Sequence, residues 1–416
     1  MNATVYNPGT EISSVDPDRG KTKSGRQTSL AGLRICHVSP QQGRRDPRAY
    51  TRQSLPLMAG GVQSTIIGTY DASTGNDEVN VISLPETKSR FWRILTASRA
   101  IWTAARQKAD IYHIHSPENI LAALILHLVF RRRVVYDSRE DFPSMMLTKE
   151  YIPPRLRATA RSLTLAAERL AAWCLDGFVT ADPGTLRHYA RAGKSRKLVF
   201  YNFPNLHFFP ESDKSRVKKF DLVYRGGLSE RAGTLVLFRA IARLKELGTR
   251  ASLLVFGYTD NDRTAATIRG VVSDLGIEDL VTLGGVIPHS QMAGTLSLAR
   301  IAVCPLLKIP KFMNNIPVKV FESWACGLPV VASDLPPIRP FFPRNQRHLL
   351  TKPGDSEELA LVIQHLLARP NRISEYGREA KKLVHDRLNS SMEIHKLLRF
   401  YADIMQMKMN GAHSAI

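Results

Sequence analysis

Apolar runs of strand length alternate with helical segments along most of the chain. The first run, LRICHVSP, begins at Leu33 and ends in Ser-Pro, a pattern that predicts a β-strand followed by a turn. From Phe91 to Lys108 the apolar residues recur at helical spacing, and the apolar run ADIYHIHS follows directly. Because strands and helices keep alternating in this way, the pattern predicts parallel sheets covered by helices on both faces.

The alternation is interrupted once, over residues 205–219. This stretch, NLHFFPESDKSRVKK, loses its periodicity and becomes polar and basic, which is typical of a linker between domains. We therefore predict an α/β protein with two Rossmann-like domains, residues 33–204 and 220–390, which face each other across a cleft. A chain of 416 residues is long enough for two such cores. Residues 391–416 follow no further strand and form a helix that can cross back onto the first domain.

The first 32 residues are predicted to be a disordered leader. They are polar, rich in Gly, Ser and Thr, and lack the apolar core of a secretory signal. No run in the sequence reaches about 18 uninterrupted apolar residues, the length that a membrane-spanning helix needs. The four cysteines never fall in a CxxC pair and predict neither a disulfide nor a zinc site. These features favour a cytoplasmic protein.

The chain is strongly basic, with 58 Lys and Arg residues against 37 Asp and Glu residues and a net charge of +21. Such a charge attracts phosphates, nucleic acids and anionic lipids alike. No recognisable nucleic-acid-binding module accompanies it, so nucleic acid is disfavoured as a partner. Two interpretations stay open, peripheral contact with the inner face of an anionic plasma membrane and a generally basic surface. The basic residues cluster in Arg131 to Arg133, Arg155 to Arg161, Arg187 to Lys197 and Lys214 to Lys219.

The segment from Asn314 to Ser333, NNIPVKVFESWACGLPVVAS, carries the most chemical information. Its Pro317 and Gly327 bracket a predicted helix of about nine residues. Lys319 lies near the start of that helix, and Glu322 shares its face. A helix N-terminus beside a lysine suits a diphosphate, and a carboxylate one turn further along can accept hydrogen bonds from ribose hydroxyls. A weak surface salt bridge between the two side chains is the alternative.

The whole string resembles family 4 of the retaining GT-B glycosyltransferases, whose C-terminal domains contain a Lys, a Glu and an A-x-G-x-P-V-V-A/S strand in this order. The matching residues are Lys319, Glu322, Ala325, Gly327, Pro329, Val330, Val331, Ala332 and Ser333. The resemblance extends over roughly Leu33 to Met405 and implies a GT-B fold that binds a nucleotide-sugar donor in its second domain.

The resemblance also implies a donor site around the turn LVYRGGLSERAG. Arg231 occupies the position of a family lysine, whereas Gly227 stands where the family has an arginine, so Arg225 can substitute only if the loop turns it inward. Many members carry a glutamate at the position of Asn314, which leaves Asn314 or Asn315 as a neutral partner for the transferred sugar. The complete implied donor set is Arg225, Gly226, Gly227, Arg231, Gly257, Gly285, Val286, Asn314, Asn315, Lys319, Val320 and Glu322.

In the first domain, three short segments resemble one sub-group of the family. These are DPRAY, with Asp46, Arg48 and Tyr50, the pair His113 and His115, and VVYDSRED, with Asp137, Arg139 and Glu140. Arg139 replaces a histidine near the reacting centre, which indicates an altered acceptor or reduced activity.

The resemblance implies that positive charge from Arg231, Lys319 and Arg225 stabilises the departing diphosphate. His115 with Glu140 is the candidate relay for the acceptor's proton, although a histidine in a strand also fits a structural role. We predict no metal and no cofactor beyond the nucleotide-sugar.

The predicted function is transfer of a sugar from a UDP- or GDP-sugar to a glycan or lipid-linked acceptor in bacterial exopolysaccharide synthesis. A sugar-nucleotide epimerase or hydrolase of similar fold is one alternative. A catalytically degenerate partner protein is the other.

Overall fold

The computed structural model describes residues 32–39, 47–69, 78–84, 99–149, 151–210, 217–259 and 262–413. The predicted leader, apart from Gly32, lies outside these ranges, as do Asp46 and residues 211–216 of the predicted linker. In the described part of the chain, no helix is both long enough and apolar enough to cross a bilayer.

The first sheet contains seven parallel strands in the order β3-β2-β1-β4-β5-β6-β7. Its strands are β1 (Arg34–Ser39), β2 (Gln63–Gly68), β3 (Asn80–Ser83), β4 (Ile111–His115), β5 (Val134–Ser138), β6 (Gly177–Thr180) and β7 (Arg196–Val199). The helices that accompany it are a π-helical segment (Pro47–Ser54), α1 (Leu55–Ala59), α2 (Ile120–Leu128), α3 (Phe142–Met146), α4 (Arg157–Cys174) and α5 (Pro183–Leu186), and residues 99–106 are also helical.

The second sheet contains six parallel strands in the order β10-β9-β8-β11-β12-β13. Its strands are β8 (Phe220–Arg225), β9 (Leu253–Phe256), β10 (Val281–Leu283), β11 (Ala299–Cys304), β12 (Val330–Ser333) and β13 (Leu350–Thr351). Its helices are α6 (Thr234–Glu246), α7 (Asp262–Asp274), α8 (Met292–Leu296), α9 (Val318–Ala325), α10 (Ser356–Leu367) and α11 (Pro370–Asp386).

Both sheets confirm the predicted α/β fold class with two Rossmann-like domains. Each has central strands that are buried on both faces, which is why their sequences read as apolar runs rather than as an alternation. The helix predicted between Pro317 and Gly327 is also confirmed. It forms as α9, with Pro317 at its N-cap and Gly327 just beyond it at φ +73°.

The last helix, α12 (Ser390–His413), packs against the first sheet. Leu397, Phe400 and Ile404 belong to the same buried cluster as β-strand residues of that sheet. Gly177 makes the close approach possible, since a Cβ there would lie 2.7 Å from the Phe400 ring. Where α12 begins, the Ser390 N–H donates to the carbonyl oxygen of Pro204 at 2.9 Å.

Helix α4 carries a buried carboxylate, Glu168, on its inner face. Glu168 accepts hydrogen bonds from the hydroxyls of Tyr136 at 2.8 Å and Ser138 at 2.7 Å, and from Tyr189. Burial raises the pKa of Glu168 to about 7, because the desolvation of its charged form outweighs the three hydroxyl donors. Glu168 therefore holds its proton in the folded protein at pH values where the unfolded chain has released it.

We expect the substitution Glu168→Gln to remove a pH dependence of stability. On folding, the pKa rises from 4.5 to about 7, so this group lowers the free energy of unfolding as the pH rises through that window. The decrease is on the order of 3 kcal/mol at most. The variant cannot ionise, so its stability relative to wild type should improve between these pH values. Urea midpoints of both proteins across the window measure this, and parallel curves would contradict it.

Candidate active site

Three glycines pack backbone to backbone at the carboxyl edge of the second sheet. Gly226 follows β8 at φ +134°, and Gly257 follows β9 at φ +155°. A Cβ on Gly257 would lie only 1.8 Å from the Gly226 oxygen, and the Gly257 N–H donates to the Gly285 oxygen at 2.7 Å. Only glycine allows these angles and contacts together. The sequence-predicted residues Gly226, Gly257 and Gly285 are thus neighbours.

Lys319 reaches this glycine turn from the start of α9. Its Nζ lies 4.7 Å from the centre of the Tyr224 ring and 3.3 Å from where a Cβ on Gly226 would be. In the part of the chain that the structure describes, no carboxylate lies within 4.0 Å of this ammonium. A cation and the first turn of a helix therefore meet at the strand edge, an arrangement suited to an anion.

A cleft with a volume of about 270 Å³ opens beside Lys319. Its walls come from both domains. The second domain contributes Gly226, Gly227, Ser229, Arg231, Tyr258, Lys311, Asn315 and Lys319, and the first contributes Arg139, Glu140, Asp182 and Asn202. Arg231 lies in a short 3₁₀ turn before α6, which places a second basic side chain on the same wall as Lys319.

Glu322 is fully buried and surrounded by basic groups. Arg225 binds its Oε2, and an Arg52 Nη from the first domain lies 3.2 Å from its Oε1. The His289 Nε2 is 3.8 Å away. Burial alone would raise the pKa of Glu322, but Arg225 and these neighbours outweigh it and hold the pKa at about 2. Glu322 is therefore ionised, and the surface Lys319–Glu322 salt bridge considered above is not formed.

Arg225 turns inward to this carboxylate. Its guanidinium is bound to Glu322, its side chain is only 21% exposed, and it is not among the residues that line the cleft. Val320, one residue after Lys319, has its side chain in the hydrophobic core, whereas Val286 is 72% exposed. The side chains of these three predicted donor residues therefore lie in different environments. Arg225 binds Glu322, Val320 lies in the hydrophobic core, and Val286 is exposed.

The two asparagines that open the motif bind carboxylates of the first domain. The Asn314 amide donates to Asp141 Oδ2 at 2.7 Å, and the Asn315 amide donates to Asp182 Oδ2 at 3.0 Å. A Cβ on Gly184 would lie 2.9 Å from the Asn314 backbone, so the two domains touch closely here. Asn315 lines the cleft, whereas Asn314 lies in the interdomain contact.

His115 belongs to a buried cluster at the carboxyl edge of the first sheet. Its Nε2 lies 3.2 Å from His37 Nδ1, and its Nδ1 lies 3.6 Å from Asp137. Burial and the neighbouring His113 hold the pKa of His115 well below its ordinary value. Both ring nitrogens therefore face buried groups, and the ring is neutral.

Glu140, the other half of the predicted relay, lines the cleft instead. Lys311 of the second domain donates to Glu140 Oε2 at 2.8 Å. The Glu140 side chain is 43% exposed, and Lys311 outweighs its partial desolvation and lowers the pKa of Glu140. His115 and Glu140 thus lie in separate environments, and the structure gives no direct contact between them that would support a shared relay.

The residues His113, His115 and Asp137 bring three ligand atoms within 4.8 Å of one another. Arg48 already binds both oxygens of Asp137, each at 2.8 Å, and Gln53 donates to Oδ2 at 2.9 Å. A divalent cation would be repelled by this guanidinium and would compete for occupied oxygens. The donor set fits a structural ion pair better than a metal centre.

Several cleft and interface residues were missed by sequence reasoning. They are Arg52, Asp141, Asp182, His289 and Lys311. Asp141 and Asp182 follow β5 and β6 closely, and acidic residues at the carboxyl ends of parallel strands are a signal that could have found them. Nothing local marks His289 or Lys311.

Both domains match known family models. Residues 32–202 match the glycosyl transferase 4-like domain, and residues 219–369 match the glycosyl transferases group 1. This chain belongs to the family 4, group 1 glycosyltransferases. The segment from Asn314 to Ser333, which carries the predicted donor site of this glycosyltransferase, lies within the second matched region.

Among curated glycosyltransferases, the amylovoran biosynthesis glycosyltransferase AmsK of Erwinia amylovora is 31% identical over 140 residues. The aligned stretch covers 33% of this chain and 34% of AmsK. The aligned parts of this glycosyltransferase span 30% to 59% of the length of the curated relatives that it matches.

Two solved structures share the fold of this glycosyltransferase over nearly its whole length. Sucrose-phosphate synthase from Thermosynechococcus elongatus superposes with a TM-score of 0.72 at 18% identity, covering 90% of this chain and 100% of the other. HepE from Anabaena, in complex with UDP-glucose, gives 0.71 at 14% identity, with 89% and 100% covered. At these identities the likeness establishes the GT-B fold.

Proposed function

We propose that this protein transfers a hexosyl group from a UDP- or GDP-sugar to a glycan or lipid-linked acceptor, with retention of configuration and without a metal. The observation that carries the proposal is the pair Lys319 and Arg231 beside the Gly226 turn, in a cleft whose far wall belongs to the other domain. AmsK is named for amylovoran biosynthesis, and HepE was solved with UDP-glucose. The name of AmsK supports a role in polysaccharide synthesis, and the HepE complex supports a nucleotide-sugar donor.

The slow event in such a transfer is separation of the nucleoside diphosphate from a sugar that becomes positively charged. Lys319 and Arg231 are placed to stabilise the negative charge that develops on the leaving phosphates. Arg225 is held by Glu322 and is not among the residues that line the cleft, so we assign the charge stabilisation to Lys319 and Arg231. Closing the cleft would exclude water and favour transfer over hydrolysis.

The acceptor and sugar are proposed to lie toward the first domain. Glu140 is the ionised carboxylate in that wall, and Arg139 stands beside it. We assign to Glu140 the relay of the acceptor's proton. We assign to His115 a structural role in β4, beside Asp137. Asn315, rather than Asn314, is the proposed neutral partner for the transferred sugar, because its side chain lines the cleft.

The second candidate is a partner protein that binds the sugar nucleotide but does not catalyse its turnover. The observation that favours it is Glu322, whose two oxygens are both bound by arginines and are not presented to a ribose. A sugar-nucleotide epimerase or hydrolase is the third candidate, and none of the described cleft residues favours it specifically.

A panel of UDP- and GDP-sugars, incubated with the purified protein, tests the proposal. We expect one donor to release free UDP or GDP slowly by hydrolysis, and faster once a suitable lipid-linked acceptor is added. An epimerase would instead change the sugar while it stays attached to the nucleotide, which chromatography of the donor pool detects. Donor binding with no nucleotide release for any donor, with and without acceptor, would support the partner-protein reading and overturn ours.

A further inference from the structure

The outward face of α4 carries an apolar stripe. Leu163, Leu170 and Trp173 recur at intervals of seven and three residues, and Leu163 and Trp173 are 67% and 66% exposed. The opposite face of the same helix is buried on the first sheet through Ala171 and Ala172. Since the core needs only one apolar face, the outward stripe is unexplained by folding.

A second helix extends this surface. α2 packs beside α4 and contributes to the same core cluster, so both helices cover one face of the first sheet. Leu121, Leu128 and Val129 of this helix region are each more than 60% exposed. Trp102, from the helical residues 99–106, is exposed as well and lies edge-on to Phe130 with 6.0 Å between ring centres.

Basic residues surround the apolar stripe. Arg155 precedes α4 and Arg169 lies within it, both exposed. Arg191 and Lys194 are exposed on the loop whose Gly193 packs against Trp173. From Arg155 to Trp173 the only acidic residue is Glu168, which is buried and bound by hydroxyls. The surface therefore presents apolar side chains and cations with no exposed acidic group along α4.

We propose that this face, formed by α2, α4 and residues 99–106, docks onto an anionic phospholipid membrane. Leucines would enter the headgroup boundary, tryptophans would lie at the interface, and the arginines would meet lipid phosphates. The charge of the surface decides between occupants, because a second copy of this basic chain would bring like charges together.

The docking surface is continuous with the cleft. α3 packs against α4, and Met145 of α3 lies 3.9 Å from the Lys311 Nζ that binds Glu140. A lipid-linked acceptor that left the membrane beside α4 would therefore reach the cleft wall across α3. This last step rests on the proposed function, whereas docking itself does not.

Vesicle flotation in the absence of any sugar nucleotide tests the docking. We expect the full chain to float with phosphatidylcholine vesicles that contain phosphatidylglycerol, to float less as salt rises, and to stay behind with pure phosphatidylcholine. The double variant Leu163→Ser/Leu170→Ser should weaken partitioning on the order of tenfold. Arg155→Gln/Arg191→Gln should weaken it by a similar factor.

Matched controls come from the second domain, where Leu361 and Arg378 are also exposed. Leu361→Ser and Arg378→Gln should float like wild type. Lys319→Ala should also float normally, which separates failure of docking from failure of the proposed transfer. Absence of flotation at low salt, or equal losses in the controls, overturns the proposal. So does a change from dimer to monomer in the leucine variant with unchanged flotation, which would identify a self-association surface.

Discussion

Replacing Lys319 with Ala is expected to lower nucleotide release by about 10²- to 10³-fold. The ammonium lies at the Gly226 turn and at the first turn of α9, where a departing diphosphate would gain charge. Removing a preorganised cation from such a site takes away stabilisation that exists mainly in the transition state. The expected loss therefore falls on kcat more than on KM. Release of UDP or GDP from the active donor is the measurement.

The control is Lys308→Ala, which removes an exposed lysine from the loop after β11. It should retain wild-type turnover, since Lys308 is not among the residues that line the cleft. Lys319→Arg is expected to recover part of the activity because it restores charge with a different shape. Unchanged release in Lys319→Ala, with an unchanged unfolding midpoint, would remove this residue from the mechanism.

Replacing Glu322 with Ala is expected to destabilise the protein by about 3–5 kcal/mol. The substitution would leave Arg225 and Arg52 buried beside each other without the carboxylate that binds both. Arg52→Gln should cost less, because Glu322 keeps Arg225 and His289. Urea unfolding of the three proteins measures the difference.

Glu322 also makes the free energy of unfolding depend on pH in the acid range. Its pKa is about 2 in the folded protein against 4.5 ordinarily, so its stabilising contribution is present above pH 4.5 and is lost as the pH falls toward 2. The free energy of unfolding of Glu322→Ala should lack this acid-dependent contribution. Glu246→Ala, on the exposed face of α6, is the control and should change stability by less than about 0.5 kcal/mol. Equal losses in both variants would show that the buried cluster contributes nothing.

The fold was predictable from sequence because buried parallel strands leave a signal in every strand. The position of Lys319, at the start of α9 and beside the glycine turn, was predictable for a related reason, since both features are local or follow a family pattern. Partners that come from far along the chain were not predictable. Arg52 and Glu322 are 270 residues apart, and His113 bonds Tyr401 across 288 residues.

His115 illustrates the limit most clearly. The residue lies at the carboxyl end of β4, as its sequence pattern indicates, but it is not among the residues that line the cleft. Whether the ring faces the cleft depends on what covers it, and His37 and Asp137 supply the contacts of its two nitrogens. The partner of Asn314 was not predictable for the same reason, since Asp141 lies 173 residues away in the other domain. A sequence pattern places a side chain on an element but does not specify the groups opposite it.

The hydrogen bond between Ser390 and Pro204 links the two places where the chain passes from one domain to the other. The chain passes between the domains twice, once after Pro204 and once before α12, and this bond ties the two crossings to each other. The backbone N–H of Tyr201 also donates to Glu393 Oε2 at 3.1 Å, which adds a second link between the two crossings. Because the two crossings meet at one place, we expect the cleft to open by rotation about this corner.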